Sequence, residues 1–286
     1  MRILLTGSNG QVGWELRRTL STLGTVVAPS SQELNLADPD AIRRVVRQTS
    51  PQLIVNPAAY TAVDKAESET VQALAINGAA PGILAEEAKR LNAALIHYST
   101  DYVFDGSLTR PYGESDPPNP LNSYGRSKLA GEQAIAASGC AHLIFRTSWV
   151  YGTRGRNFLL IMQKLLAERD VLNVVADQIG APTWSRTIAE ASAQILAQLR
   201  MDTDRIADLS GIYNLTCAGQ TSWHGFALAI AAHRGSHCQV NAITTSDYPT
   251  PAARPLNSVL AHDKLMLTFG LHMPDWEHAL DLCLQD

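Results

Sequence analysis

The stretch RILLTGSNGQVGWEL, residues 2–16, decides the fold of this chain. A short apolar run leads into Gly7, Gly10 and Gly13, and an amphipathic segment follows from Val12. Glycines in this pattern allow a tight turn, close approach of the backbone to a pyrophosphate and close packing of helix on strand. The start of the helix adds free N–H groups and the positive end of its dipole. The stretch therefore predicts a dinucleotide site between the first strand and the first helix.

Outward from this stretch, short apolar runs alternate with helix-like segments as far as about residue 150. Such alternation predicts an α/β fold, a Rossmann-type doubly wound parallel sheet with helices on both faces. After Tyr151 the pattern loosens, and loops such as TTSDYPTPAARPLNS separate the helices. We therefore expect a dinucleotide-binding domain over 1–150 and a smaller, interleaved substrate-binding lobe over 151–286, with a segment near 211–235 returning to the Rossmann sheet.

Composition and charge reduce the range of possible partners and locations. The net charge of the 286 residues is -4 and no basic run is present, which argues against nucleic acid and anionic membrane surfaces as partners. No apolar run approaches the length of a membrane span, and the glycine turn begins too early for a secretory signal. The four cysteines are scattered, as is typical of reduced thiols. A cytoplasmic location is expected.

The end of the second strand bears on the choice of cofactor. Selective NAD sites carry an acidic residue there, which binds the ribose hydroxyls. In TVVAPSSQELN this place falls to Pro29, Ser30 and Ser31, so no carboxylate is expected to repel a 2′-phosphate. No arginine is placed to bind that phosphate either. The sequence therefore predicts a site for NADPH or NADH.

The segment LNSYGRSKLAGE places Tyr124 and Lys128 four residues apart, on one face of a helix. A free phenol titrates near ~10, so Tyr124 needs a nearby cation such as Lys128 to act as an acid or base at neutral pH. In IHYSTDYVF, Ser99 and Thr100 offer a hydroxyl at a strand end. Taken singly, Tyr124 is better explained as a half-exposed aromatic and Thr100 as a cap. Together with the glycine turn, they predict a catalytic set.

The order TGxxGxxG, NPAAYTAVDKAE, STDYVFDG, YGRSKLAGE, RTSWVYG, DQIGAPT and RPLNSVL resembles the extended short-chain dehydrogenase/reductases, and among them the dTDP-4-dehydrorhamnose reductases. The resemblance runs from Arg2 to about Leu260. It implies an oxidoreductase that uses NADPH or NADH to reduce the C4 ketone of dTDP-4-dehydro-L-rhamnose to dTDP-L-rhamnose, in the synthesis of cell-surface polysaccharide.

The same resemblance implies roles for individual residues. The catalytic residues would be Thr100, Tyr124 and Lys128. The cofactor-binding residues would be Gly7, Gly10, Gln11, Val12, Gly13, Asn35, Leu36, Ala59, Tyr60 and Thr61, with Tyr124 and Lys128. The substrate-binding residues would be Thr100, Asp101, Tyr124, Trp149, Arg254 and Asn257, with Gln178, Pro182 and Thr183 as looser candidates.

Two alternatives belong to the same fold: a nucleotide-sugar epimerase and a non-catalytic NAD(P)-binding regulatory subunit. Related dehydratases carry an Asp-Glu pair after the threonine, whereas Asp101 and Tyr102 stand here. The resemblance also raises a homodimer and Mg²⁺ as possibilities. Glu15 is a candidate metal ligand, but Arg186 stands where a second acid is wanted, so the sequence does not support a metal.

Overall fold

The computed structural model describes residues 1–285. Its strands are β1 (Arg2–Leu5), β2 (Thr25–Val27), β3 (Leu53–Asn56), β4 (Ala94–Thr100), β5 (Ala141–Thr147), β6 (Val150–Tyr151), β7 (Val171–Val175), β8 (Ile179–Gly180), β9 (Thr183–Trp184), β10 (Gly211–Asn214), β11 (Thr221–Ser222) and β12 (Gln239–Ile243). Its α-helices are α1 (Gln11–Thr19), α2 (Pro39–Thr49), α3 (Thr70–Leu74), α4 (Ala80–Arg90), α5 (Ser123–Ser138), α6 (Phe158–Glu168), α7 (Ser185–Gln198), α8 (Thr203–Asp208), α9 (Trp223–Arg234), α10 (Asp263–Phe269) and α11 (Trp276–Gln285).

Six strands form one sheet in the order β10-β5-β4-β3-β1-β2, and every neighbouring pair is parallel. β3 and β4 are buried along their whole length, as expected for strands covered on both faces. The strand order reverses between β1 and β3, and the carboxyl ends of strands at such a point leave a crevice for a ligand. The predicted α/β Rossmann-type doubly wound sheet is confirmed.

The alternation of side chains along the strands separates two cores. Ile3 and Leu5 of β1 pack with α1, α7, α8 and α10 on one face of the sheet, whereas Leu4 packs with α2, α4 and α5 on the other. Successive side chains of a strand point to opposite faces, so each strand feeds both cores. The same alternation turns His97 of β4 toward α5, a position that matters below.

A third cluster lies outside the sheet and joins α6, α9 and α11 to β7. β10 lies beside β5 in the main sheet, whereas α9, the helix after it, packs against α6 and α11. The chain also returns to the sheet through α7, which packs on α1. The segments after residue 150 thus alternate between the two bodies, and a domain boundary at that residue stays a prediction.

Among residues 1–285, no helix has the length and apolar character needed to cross a membrane.

Candidate active site

The glycine turn between β1 and α1 is tightly closed. Gly7 has a φ of +56°, in the left-handed region that glycine adopts without strain. A Cβ on Gly13 would lie 2.1 Å from the Gly7 carbonyl oxygen, so the first turn of α1 fits against the loop only with glycine there. Gly10 is the N-cap of α1 and has no side chain to bond the first N–H groups of the helix. These groups can therefore face an anion.

A cavity of about 230 Å³ opens beside this turn. Its walls come from the glycine turn, from the segment after β2, from the loop after β3 and from the π-helical turn before α4. They comprise Thr6, Gly7, Ser8, Asn9, Gly10, Pro29, Ser30, Ser31, Leu34, Asn35, Leu36, Ala58, Ala59 and Ile76. Five of the predicted cofactor residues, Gly7, Gly10, Asn35, Leu36 and Ala59, thus meet at one cavity at the crevice of the sheet.

Two other predicted cofactor residues on α1 point elsewhere. The Gln11 side chain accepts a hydrogen bond of 2.8 Å from the Asn157 amide and so bridges to the segment before α6. Val12 packs against the hydrophobic core of the main sheet. Neither residue lines the cavity, and contact of either with a pyrophosphate stays a prediction.

Tyr60 and Thr61 lie in the loop after β3. The Asn77 side chain accepts from the Tyr60 N–H at 2.8 Å and donates to the Tyr60 carbonyl at 3.0 Å. It also donates to the Ser127 hydroxyl of α5 at 3.0 Å, so one buried amide fixes the loop against the helix. Thr61 is exposed. Asn77 was missed by sequence reasoning because an isolated asparagine within a helical pattern gives no signal.

One carboxylate, Glu33, lies in the turn that follows β2. Glu33 Oε2 accepts the N–H of Ser30 at 2.7 Å, and Ser30 lines the cavity. The turn after β2 folds Glu33 back onto a residue three positions earlier, although Glu33 itself does not line the cavity. A negative charge therefore lies close to the cavity wall that Pro29, Ser30 and Ser31 form.

Thr100, Asp101 and Tyr124 gather at the carboxyl end of β4. The Thr100 hydroxyl accepts from the Tyr102 N–H at 3.2 Å and donates to Asp101 Oδ1 at 3.0 Å. Burial raises the pKa of Tyr124 to about 12; the Thr100 hydroxyl opposes this, and the Asp101 charge adds to it. The phenol therefore stays protonated at neutral pH and can serve as an acid.

Lys128 is buried on α5, one turn after Tyr124. Its Nζ donates to the Tyr98 carbonyl at 2.6 Å and lies 3.2 Å from His97 Nε2. Burial lowers the pKa of Lys128 to about 8, while the charge of Glu132 opposes the change. In the structure the pKa of Tyr124 is set by burial and by Thr100 and Asp101 at the end of β4. Stabilisation of the Tyr124 phenolate by Lys128 stays a prediction for the enzyme with bound cofactor.

The start of α5 is held by three separate contacts. A Cβ on Gly125 would lie 2.1 Å from the Tyr102 carbonyl oxygen, so glycine lets the helix approach the end of β4. The Asn122 side chain caps the helix by accepting from the Gly125 N–H at 2.8 Å. Glu67 accepts from the Ser123 N–H at 2.7 Å. Asn122, two positions before Tyr124, is an N-cap signal that the sequence offered; Glu67 could be placed only by the fold.

Trp149 follows β5 with a φ of +45°, which is rare for a bulky residue. Its indole stacks on Trp223 with ring centroids 3.6 Å apart and planes within 6°. A Cβ on Gly180 would lie 2.5 Å from the Trp149 ring, so glycine makes room for the indole. Strain of this kind clusters at functional sites, and the partly exposed indole is consistent with the predicted substrate contact.

Arg254 and Asn257 make extensive contacts within the protein. One guanidinium nitrogen of Arg254 donates to both carboxylate oxygens of Asp64, at 2.9 and 3.0 Å, and the other donates to the Ala252 carbonyl at 2.9 Å. The Asn257 amide donates to the Leu108 carbonyl at 2.7 Å. A diphosphate would therefore have to share Arg254 with Asp64, and Asn257 supports the loop after β4.

The looser substrate candidates are also held within the fold. Gln178 is buried and donates to the Thr245 hydroxyl at 3.1 Å. The Thr183 hydroxyl donates to the Ala181 carbonyl at 3.1 Å, and Pro182 between them is buried. Contact of these three with substrate stays a prediction.

Glu15, the candidate metal ligand, lies near one basic and one acidic side chain. The Glu15 carboxylate pairs with Arg186 at 3.3 Å. A second acid, Glu190, lies nearby: burial raises its pKa, the Arg186 charge lowers it and the Glu15 charge raises it again. Sequence reasoning missed Glu190. Within residues 1–285, no group of three or more His, Cys, Asp or Glu side chains could hold a metal ion.

A larger cavity, of about 1150 Å³, lies between α5, β10 and α10 and includes Glu114, His142 and Lys264 in its walls. In the described part of the chain, no predicted catalytic, cofactor or substrate residue lines it. The size of a cavity therefore does not indicate the active site. The glycine turn and the hydroxyl groups of Thr100 and Tyr124 indicate it.

A parallel nucleotide-binding sheet that sets a tyrosine and a lysine of one helix beside a strand-end threonine defines an oxidoreductase of the short-chain dehydrogenase/reductase class. The family profile "RmlD substrate binding domain" matches residues 1–286. A dTDP-4-dehydrorhamnose reductase of Burkholderia thailandensis is 49% identical over 294 residues, which cover 100% of this chain and 99% of the relative. The chain belongs to the dTDP-4-dehydrorhamnose reductase family.

Solved structures agree with this assignment. A dTDP-4-dehydrorhamnose reductase of Clostridium acetobutylicum is 35% identical with a TM-score of 0.93, covering 100% of this chain and 99% of its own. A Bacillus anthracis dTDP-4-dehydrorhamnose reductase in complex with NADP is 34% identical with a TM-score of 0.91, covering 99% and 98%. The similarity extends over both bodies of the molecule.

Proposed function

We propose that this chain catalyses the NAD(P)H-dependent reduction of the C4 ketone of dTDP-4-dehydro-L-rhamnose to dTDP-L-rhamnose. The observation that carries the proposal is the meeting of Thr100 and Tyr124 at the end of β4, with Tyr124 held in its protonated form. Ketone reduction consumes one proton at the carbonyl oxygen. The Tyr124 phenol is protonated at neutral pH and can provide this proton, with Lys128 proposed to stabilise the phenolate that remains.

Bound NADPH or NADH supplies the hydride that is transferred to C4. The cavity beside Gly7 and Gly10 fits the phosphate end of such a cofactor, because the N–H groups at the start of α1 face it. Tyr124 donates its phenolic proton to the oxygen at C4. Lys128 uses two of its three N–H donors on Tyr98 and His97, which leaves one for the cofactor ribose or the substrate.

The Thr100 hydroxyl donates to Asp101 in the structure. To bond the substrate oxygen as charge develops there, this donor has to change partners. Hydrogen bonding to the developing alkoxide is the stabilisation that Thr100 can offer. Asp101 thus competes with the substrate for the Thr100 proton and keeps the hydroxyl oriented when the site is empty.

The test is oxidation of NADPH or NADH, followed by the nicotinamide absorbance, with freshly prepared dTDP-4-dehydro-L-rhamnose. Tyr124→Phe should lower kcat by about 10²–10⁴-fold, the range for loss of a general acid, with little change in NADPH binding. Tyr213→Phe is a matched control, because the Tyr213 hydroxyl donates to the Leu209 carbonyl beside β10, at the edge of the sheet and two strands away from β4. Near-normal turnover by Tyr124→Phe would refute the mechanism.

Failure of the wild-type enzyme to oxidise either cofactor, despite tight binding, would favour an epimerase that keeps its nicotinamide or a regulatory subunit. Trp149 and Arg254 are proposed to bind the dTDP group of the substrate. A homodimer and a cytoplasmic location stay predictions.

A further inference from the structure

A buried chain of polar side chains runs beneath the active site, from α5 to the glycine turn. Lys128 Nζ lies 3.2 Å from His97 Nε2, and His97 Nδ1 lies 3.0 Å from the Asn56 amide nitrogen. The Thr6 hydroxyl lies 2.6 Å from the other polar atom of the Asn56 amide. Thr6 lines the cofactor cavity, and the Ala58 N–H donates to its hydroxyl at 3.4 Å. The chain thus links the catalytic lysine to the loop proposed to hold the cofactor phosphates.

The sheet itself sets this arrangement. Asn56 and His97 are direct partners in the pairing of β3 with β4, so their side chains lie side by side on the face that α5 covers. Both are fully buried, and Lys128 is 1% exposed. Buried polar groups need partners, since water cannot provide them. The three side chains therefore depend on one another for their hydrogen bonds.

Counting donors and acceptors fixes the state of the imidazole. An ammonium has three donors and no acceptor, so His97 Nε2 has to accept from charged Lys128. Nδ1 then carries the imidazole proton and has to donate to the Asn56 amide oxygen. This requires the amide of Asn56 to be turned so that its nitrogen faces Thr6, a choice that only the hydrogen-bond network can decide. Burial, and then the charge of Lys128, hold the pKa of His97 well below its usual value, so the ring is neutral.

From this geometry we infer that His97 is a positioning residue for the catalytic lysine: its neutral imidazole accepts a hydrogen bond from the Lys128 ammonium and keeps that lysine charged and aimed at the active site. Asn56 and Thr6 hold the imidazole in the tautomer that can accept. The inference rests on the proposed role of Lys128 in the reductase.

Few other charges act on this pair. Glu132, one turn further along α5, favours the charged form of Lys128 but is itself bound to Arg146 of β5 by two hydrogen bonds of 2.9 and 2.6 Å. From the strand side, Tyr98 offers only its main-chain carbonyl. His97 is therefore the side-chain hydrogen-bond acceptor of Lys128 within the described residues, and removing it should shift the titration of the lysine.

The experiment measures the Lys128 titration directly, in the cofactor-free protein labelled with ¹³C at lysine Cε. The chain has only five lysines, and Lys128→Arg assigns the signal. In the wild type one lysine should titrate near pH 8, well below the others. In His97→Leu its midpoint should fall by about one pH unit or more, the size of a charged hydrogen bond. His97→Gln, which restores a neutral acceptor, should recover most of the fall.

His142→Gln is the matched control, because His142 lies on the neighbouring strand β5 and bonds the Cys140 carbonyl through Nδ1. It should leave the Lys128 midpoint unchanged. An unchanged midpoint in His97→Leu would overturn the inference. If His97→Leu does not fold, His97→Gln and Asn56→Leu provide the test. Asn56→Leu removes the side chain that fixes the tautomer of His97, so the Lys128 midpoint should fall. A wild-type midpoint in Asn56→Leu would also overturn the inference.

The NMR result is independent of the substrate. A shifted midpoint combined with no turnover of dTDP-4-dehydro-L-rhamnose would keep the positioning role and refute the proposed reaction. Turnover by the wild type with an unshifted midpoint in His97→Leu would keep the proposed reaction and refute the positioning role. With an active enzyme, the fall of kcat at alkaline pH should move to lower pH in His97→Leu, in step with the NMR midpoint.

Discussion

Replacing Asp101 by asparagine should stabilise the protein and impair the enzyme. Asp101 is 2% exposed, and burial raises the pKa of its carboxyl group from 3.8 to about 6, with neighbouring hydroxyls only partly opposing the change. At neutral pH the folded protein therefore holds a buried, ionised carboxylate. Asparagine keeps the shape and an acceptor oxygen for the Thr100 hydroxyl, but carries no charge.

The size and sign of the effect follow from the pKa. A tenfold change in proton affinity corresponds to about 1.4 kcal/mol, so the raised pKa costs the folded state on the order of 3 kcal/mol once Asp101 is ionised. A raised acid pKa stabilises the fold below pH ~4 and loses this contribution as pH rises through ~6. Asp101→Asn should therefore gain about 3 kcal/mol in free energy of unfolding at pH 8, about half of that at pH 5, and almost nothing near pH 4.

Urea unfolding of the cofactor-free protein at pH 5 and pH 8, followed by circular dichroism, measures this difference. Asp116→Asn is the contrasting control: pairing with Arg110 lowers the pKa of Asp116 to about 2, so that substitution should destabilise the protein at pH 8. A stability gain for Asp101→Asn that is absent at pH 8, or equal at both pH values, would contradict the reasoning. Turnover should fall, because Thr100 loses its anionic partner, a trade of activity for stability.

Three further predictions concern the cofactor site and the metal. Gly13→Ala should lower the free energy of unfolding by about 1–3 kcal/mol and weaken NADPH binding, because the added Cβ would meet the Gly7 carbonyl. Thermal unfolding and fluorescence titration with NADPH measure the two effects. Gly113→Ala is the control, because its Cβ would approach nothing closer than 3.8 Å. Glu33→Gln should raise the preference for NADPH over NADH a few-fold in kcat/KM, since it removes the charge beside Ser30; an unchanged ratio would show that the carboxylate does not face the 2′-phosphate. Incubation with EDTA should change neither turnover nor Tm, and an EDTA-induced loss that Mg²⁺ reverses would refute our interpretation of the Glu15 region.

The sequence alone predicts those structural features that neighbouring residues determine. The turn after β1 requires glycine at Gly7 and Gly13 for steric reasons that act within a few residues. Helix periodicity likewise puts Tyr124 and Lys128 on one face of α5, and a run of buried residues marks β4 as a covered strand. These signals predicted the parallel sheet that the structure contains.

The environment of each site residue was beyond the sequence, because it depends on contacts between segments far apart in the chain. From the sequence, Arg254 is expected to be a cation available to a diphosphate. The fold pairs it with Asp64, which lies 190 positions earlier in the chain.

The support of Lys128 shows the same division most clearly. The sequence by itself determined that Lys128 stands one turn after Tyr124. Only the tertiary structure, by aligning β3 with β4 and covering both with α5, decided that His97 and Asn56 would be its buried partners. The physical reason is that burial makes each polar group depend on whatever partner the fold supplies, and strand register, which sets that partner, is a property of the whole sheet.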